Sequence, residues 1–193
     1  MNLTEGTIVE KQGRAKKMML WFGIASLLMT FAGWTSAYIV SSTREDWLNN
    51  FQLPSAFYVS TGLLIISSLT YILAKRAMKN DKSSLCTIFL TTTLVLGIAF
   101  IVFQFQGFSQ IVAQGYYFTG ESSSVTTSYI FLIAMVHILH VIAGIISLLV
   151  VLYNQLKGKY TPQNILGIEL GATFWHFLDL LWLYLILFFY FYK

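Results

Sequence analysis

Residues 169–192 read ELGATFWHFLDLLWLYLILFFYFY. The run is long enough to cross a bilayer, since a spanning helix needs ~20 mostly apolar residues. It nevertheless carries Glu169, His176 and Asp179. An acidic side chain at the centre of a membrane helix costs ~2.5–3.5 kcal/mol on insertion scales, and such groups face protein rather than lipid. A helix of this kind therefore belongs inside a bundle whose other members supply polar partners. The nearest candidates lie one hydrophobic segment earlier, at His137 and His140.

Composition agrees with a bundle in a membrane. The 193 residues are 56% hydrophobic, 17% aromatic and 10% charged, whereas average soluble domains are about 25% charged. Mean hydropathy is +0.68. The expected fold is all-α, an integral membrane bundle of five transmembrane helices forming one domain, 18–193, behind a polar segment, 1–17. Apolar runs place the spans at 18–40, 54–74, 84–103, 127–152 and 169–192, with continuation of the third to about 113 left open. The basic N-terminal segment precedes a long apolar run without a small-residue cleavage pattern, so it is not read as a cleavable signal. Pro54 and Pro162 lie near helix starts, where proline is tolerated. The one cysteine, Cys86, can form no internal disulfide and is read as a small buried hydrophobe.

The net charge of +4 is a statement about topology, not nucleic-acid affinity. Five spans put the termini on opposite sides. Lys11, Arg14, Lys16, Lys17, Lys75, Arg76, Lys79, Lys82, Lys157 and Lys159 then share one side, ten of the twelve basic residues, against Arg44 and Lys193 on the other. Basic residues mark the cytoplasmic loops. The N-terminus is thus expected in the cytoplasm and the C-terminus in the periplasm.

His137, His140 and Gly144 share a face of the fourth span by their i, i+3, i+7 spacing. Glu169 and His176 share a face of the fifth, with Asp179 a turn further on. Counting from the span centres puts His140 and Asp179 at similar depth, so they are expected to be neighbours or to share a water. The reading is a polar seam between the fourth and fifth helices, with Trp175 and Trp182 as interfacial or packing residues. Hydroxyls of the second span, Ser60, Thr61, Ser67, Ser68 and Thr70, can bond their own backbone or a neighbouring helix and do not argue for a site. Three roles compete for the seam: haem ligation by paired histidines in an independent b-type cytochrome, a proton path, and a structural network that also orders a lipid headgroup. The network is favoured, because the ionisable groups cluster in the middle and inner half with nothing leading outward. No pattern for a catalytic dyad, metal cage or phosphate loop is present.

At these residues the chain resembles a known family. Trp175-His176-Phe177-Leu178-Asp179-Leu180-Leu181-Trp182, preceded by Glu169, resembles the last-helix signature of haem-copper oxidase subunit III, roughly E…YWHFVDVVW. The run from His137 to Gly144, HILHVIAG, matches its HxxHVxxG helix. Leu53-Pro54 with Leu69-Thr70, and Met29, Phe31, Ala32, Gly33, Ala37 and Tyr38, resemble the two preceding patterns. The resemblance spans nearly all of 18–192 and is closest to the short five-span bacterial type.

The resemblance implies a non-catalytic subunit of a respiratory terminal oxidase, in a complex that passes electrons from cytochrome c or quinol to dioxygen and pumps protons. Its implied partners are oxidase subunit I directly, other oxidase subunits and membrane lipids, with phospholipid bound. Membership of a larger respiratory supercomplex is left open, and no nucleic acid is expected. Haem and copper are expected in the partner subunits, with no cofactor, metal or active site in this chain. The implied location is the bacterial cytoplasmic (inner) membrane. An accessory subunit of a nitric oxide reductase remains the alternative within the same fold. One departure matters: Leu27 stands where the family often has an intramembrane glutamate, in a run like ASExMFFAG. A proton-related role attached to that carboxylate does not carry over.

Overall fold

A computed structural model describes residues 7–45, 47–48, 52–120 and 123–192. The first six residues, Asp46, Glu121 and Lys193 lie outside the described residues. The described residues fold into five helices: α1 (Ile8–Ser41), α2 (Ser55–Lys79), α3 (Ser83–Ala113), α4 (Val125–Leu156) and α5 (Leu166–Phe191). All five are long and apolar enough to cross a membrane. The expected all-α, five-span architecture is therefore the observed one.

The differences lie at the helix ends. α1 begins at Ile8, well inside the segment read as a polar extension. A capping box starts it: the Thr7 N–H donates to Glu10 Oε2 at 2.8 Å and the Glu10 N–H to Thr7 Oγ1 at 3.4 Å. These bonds satisfy amide groups that a bare helix start leaves open. α3 runs on to Ala113 and takes in Gln104, Gln106 and Gln110. Three helices stop in the same way, with a bond spanning five residues: Lys82 N–H to Ala77 O, Tyr116 N–H to Ile111 O, and Lys159 N–H to Asn154 O. This closure needs a left-handed residue just past the helix, supplied by Asp81 (φ 58°), Gly115 (φ 88°) and Gly158 (φ 65°).

α5 is the central helix. Half of its most apolar window is buried, against 17% for α1. It packs on α1, α2 and α4, and α2 pairs closely with α3, whereas no close backbone approach joins α1 to α2 or α3 among the described residues. The core divides in two. One cluster, toward the 114–124 loop, includes Phe31, Phe57, Phe100, Phe131, Trp182 and Phe189. The other, toward the α2–α3 turn, includes Tyr71, Cys86, Leu90, Leu148, Ala172 and Trp175. Cys86 is fully buried there, as its apolar reading requires.

Two glycines admit the indole of Trp175. A Cβ on Gly97 of α3 would stand 2.6 Å from Trp175 Cη2, and one on Gly144 of α4 would stand 3.4 Å from the same ring and 2.8 Å from Leu178. Gly62 of α2 has nothing within 4 Å. Overpacking a core costs roughly 1–3 kcal/mol. Gly97→Leu is therefore expected to destabilise the bundle by about that much while Gly62→Leu stays near neutral, as read from denaturant unfolding midpoints in detergent.

Candidate functional site

The polar groups of α5 turn to α2. The Trp175 indole N–H donates to Ser67 Oγ at 3.0 Å, and that of Trp182 donates to Thr61 Oγ1 at 3.0 Å. Ser68 Oγ lies 2.7 Å from His176 Nδ1, and the same hydroxyl faces Asp179. Glu169 lies 3.2 Å from Lys75 Nζ. The pairs run 75 with 169, 68 with 176, 67 with 175 and 61 with 182, the register of two antiparallel helices facing each other along their length. Water is absent from the hydrocarbon core, so each of these polar groups needs a protein partner.

The seam therefore lies between α2 and α5 rather than between α4 and α5. Among the described residues no side-chain hydrogen bond joins α4 to α5, and none joins His140 to Asp179. The α4–α5 contact is made of rings and close approach: His137 stacks on Trp182 with centroids 5.1 Å apart, and Gly144 lies against Leu178 and Trp175. The physical reason is the shape of α4. Its glycine draws the bulky side chains of α5 inward, while the hydroxyls of α2 offer acceptors at matching spacing.

The five candidates thus separate. His137 is fully buried in a box of Phe31 at 6.2 Å, Phe100 at 6.0 Å and Trp182, and neither ring nitrogen has a hydrogen-bond partner. His140, half-buried, is 2.8 Å from the Val136 carbonyl of its own helix through Nδ1, and its ring meets Phe31 at 5.7 Å. A carbonyl only accepts, so Nδ1 carries the proton. His176 and Asp179, one turn apart, are 4.0 Å from each other. Asp179 is buried, and its Oδ2 has no hydrogen-bond partner. Glu169 sits between two lysines, Lys17 of α1 at 3.4 Å and Lys75 of α2 at 3.2 Å. Trp175 and Trp182, 2% and 0% exposed, are packing residues rather than interfacial ones.

The residues that the sequence left aside are the α2 hydroxyls. Their spacing becomes a signal only once α2 is known to face α5: counted antiparallel, Thr61, Ser67 and Ser68 then fall opposite Trp182, Trp175 and His176. Further bonds of the same type join other pairs. Gln104 of α3 donates to Ser60 at 2.9 Å, Tyr184 of α5 to Thr35 of α1 at 3.0 Å, and Ser41 of α1 to Tyr129 of α4 at 3.0 Å.

Five apolar helices whose buried hydroxyls and indoles tie one helix to the next define a multi-pass membrane bundle. The chain belongs to the cytochrome c oxidase subunit III family, whose model matches residues 41–193, from the last residue of α1 through α5. It is 34% identical over 133 residues to cytochrome bo(3) ubiquinol oxidase subunit 3 of Pseudomonas aeruginosa, covering 69% of this chain and 62% of that protein, so the match spans less than two thirds of this relative. It is 28% identical to cytochrome c oxidase subunit 3 of Alkalihalophilus pseudofirmus over 90% of this chain and 85% of that one. With cytochrome c oxidase subunit 3 of Spodoptera frugiperda it shares 32% identity, over 71% and 87%. As a subunit III of a haem-copper oxidase, the chain associates with other oxidase subunits.

Hydrogen bonds between membrane helices contribute roughly 0.6 kcal/mol on average and seldom exceed ~1.7. A double-mutant cycle of Trp175→Phe with Ser67→Ala, read by unfolding in detergent, is expected to return a coupling in that range. Trp175→Phe with Thr61→Ala should return none, because Thr61 bonds Trp182.

Proposed function

We propose that this chain is the non-catalytic subunit III of a respiratory haem-copper terminal oxidase, seated directly against the catalytic subunit I. Dioxygen reduction and proton pumping belong to the partner subunits, which hold the haem and copper and take electrons from cytochrome c or quinol. This chain contributes packing, lipid contacts and support of subunit I through turnover. Its bilayer is the bacterial cytoplasmic membrane, with the N-terminus in the cytoplasm. His137 and Asp179 act in holding the bundle, His140, Glu169 and His176 in holding it and in meeting lipid, and no reacting group is assigned to them.

The observation that carries this reading is the α2–α5 register. Trp175, His176 and Trp182 each meet a hydroxyl of α2, and Glu169 meets Lys75. Side chains used in this way keep the fold in one arrangement. The relatives named for two different electron donors are compatible with a subunit that does not itself meet the donor.

Removing one member of a buried polar set leaves the others without partners, which costs more than the pair contributes. Asp179→Ala is expected to reduce co-purification of this chain with subunit I. The complex that does assemble should keep its metals and its initial rate of oxygen consumption. An assembled variant with intact haem and copper but no initial turnover overturns the non-catalytic reading.

The orientation has its own test. A membrane-impermeant maleimide added to intact cells should label Thr43→Cys, in the α1–α2 connection, but label Lys79→Cys only after lysis. The reverse pattern would invert the topology.

A further inference from the structure

α1 is tied to the bundle unevenly. Its C-terminal half is well held. Phe31 meets the rings of His137 and His140, Thr35 accepts from Tyr184, and Tyr38 donates to the Tyr192 carbonyl at 3.1 Å. N-terminal to Ile24, none of the described side chains of α1 is buried. Two cavities flank that half. One of about 230 Å³ lies between Lys17, Leu20 and Trp21 of α1 and Lys75, Glu169 and Thr173. Another of about 400 Å³ separates Lys16 and Met19 from Asn154, Tyr160 and Gly167. Gly13 passes Leu166 near the end of the helix.

Across this loosely packed stretch runs an ion pair. Lys17 Nζ reaches Glu169 Oε2 at 3.4 Å, while Lys75 of α2 holds the other oxygen at 3.2 Å. Since α1 and α2 have no close backbone approach, Glu169 is a bridge between two helices that otherwise stand apart. Between them lies a groove floored by α5. Glu169, Thr173, His176 and Leu180 recur along it at three- and four-residue spacing, which is one helix face.

We propose that Glu169 is a latch. The Lys17–Glu169–Lys75 bridge holds the basic half of α1 closed beside α5, and its release lets that half pivot near Ile24 and widen the groove toward His176. The pair suits a reversible latch rather than a structural staple. Its side chains are 52% and 26% exposed, and ion pairs of that kind are weak and screened by salt. The charge arrangement also sets a direction. Once Glu169 no longer bridges them, Lys17 and Lys75 face each other as like charges, which favours the open position.

The test uses the assembled oxidase in nanodiscs, with nitroxides on Ala15→Cys of α1 and Leu73→Cys of α2 and their separation read by pulsed electron resonance. In the otherwise native chain at low salt a single narrow distance is expected. Glu169→Gln and Lys17→Met should each add a longer, broader population, and high salt should do the same without mutation. Lys75→Met should keep the narrow distance, because Lys17 still reaches Glu169. An unchanged distribution in both Glu169→Gln and Lys17→Met overturns the latch. Broadening in Glu169→Gln with a narrow distance in Lys17→Met also overturns it, since that pattern reports lost packing around α5 rather than a released α1.

Discussion

An indole N–H inside hydrocarbon must find an acceptor, and the arrangement of this bundle follows from where Trp175 finds one. Its ring is almost wholly buried. It donates to Ser67 of α2 while resting in the space left by Gly97 of α3 and Gly144 of α4. One side chain thereby fixes α5 against three other helices. Two turns further along, Trp182 repeats the pattern. It donates to Thr61 of α2, meets Phe100 of α3 at 5.5 Å and stacks on His137 of α4. A helix pinned at two such points has its rotation and its depth set together. The remaining polar groups of α5 fall into register as a consequence, and Glu169 and His176 land opposite Lys75 and Ser68.

The same constraint explains why His137 goes without a partner. A buried polar atom with no hydrogen bond costs about 1–3 kcal/mol, and both nitrogens of this ring are in that state. The α2 hydroxyls Ser67 and Thr61 bond the two indoles of α5 and not this ring. What His137 receives instead is ring contact on three sides, and aromatic pairs contribute roughly 0.5–1.5 kcal/mol beyond area burial. In a membrane, burial of apolar surface between helices gains little over lipid, so association rests on close packing and interhelical hydrogen bonds. Gly97, Gly144 and the α2 hydroxyls supply both.

Span number, helix type and the all-α fold were legible because they depend on runs of apolar residues and on the positions of charges, which are local properties. The helix ends were less so. Thr7 and Glu10 form a capping box that carries α1 beyond its apolar run, and the glutamines of α3 remain helical past the apolar boundary. The family was legible in the last two helices, and the match across 41–193 agrees with it. Partners in the seam were not. Glu169, His176 and Asp179 announce themselves as polar residues in an apolar helix, but which helix faces them depends on the order of the bundle. Sequence proximity favoured α4. A serine or threonine in a membrane helix usually bonds its own backbone, as Thr91 and Thr92 do here. Nothing local therefore separates Ser67 and Ser68 from hydroxyls without a neighbour.

Phe31 of α1 gives the histidine helix its character. Its ring meets both imidazoles of α4 edge-on. His140 then turns to the carbonyl of its own helix, and His137 is left to the aromatic box. The carboxylates of α5 look toward α2 and toward the lysines at the end of the groove. The α1–α4 contact is thus aromatic, while the polar contacts of α5 gather toward α2. Each imidazole accordingly takes what lies at its depth, a ring of α5 for His137, a carbonyl of its own helix for His140 and a hydroxyl of α2 for His176.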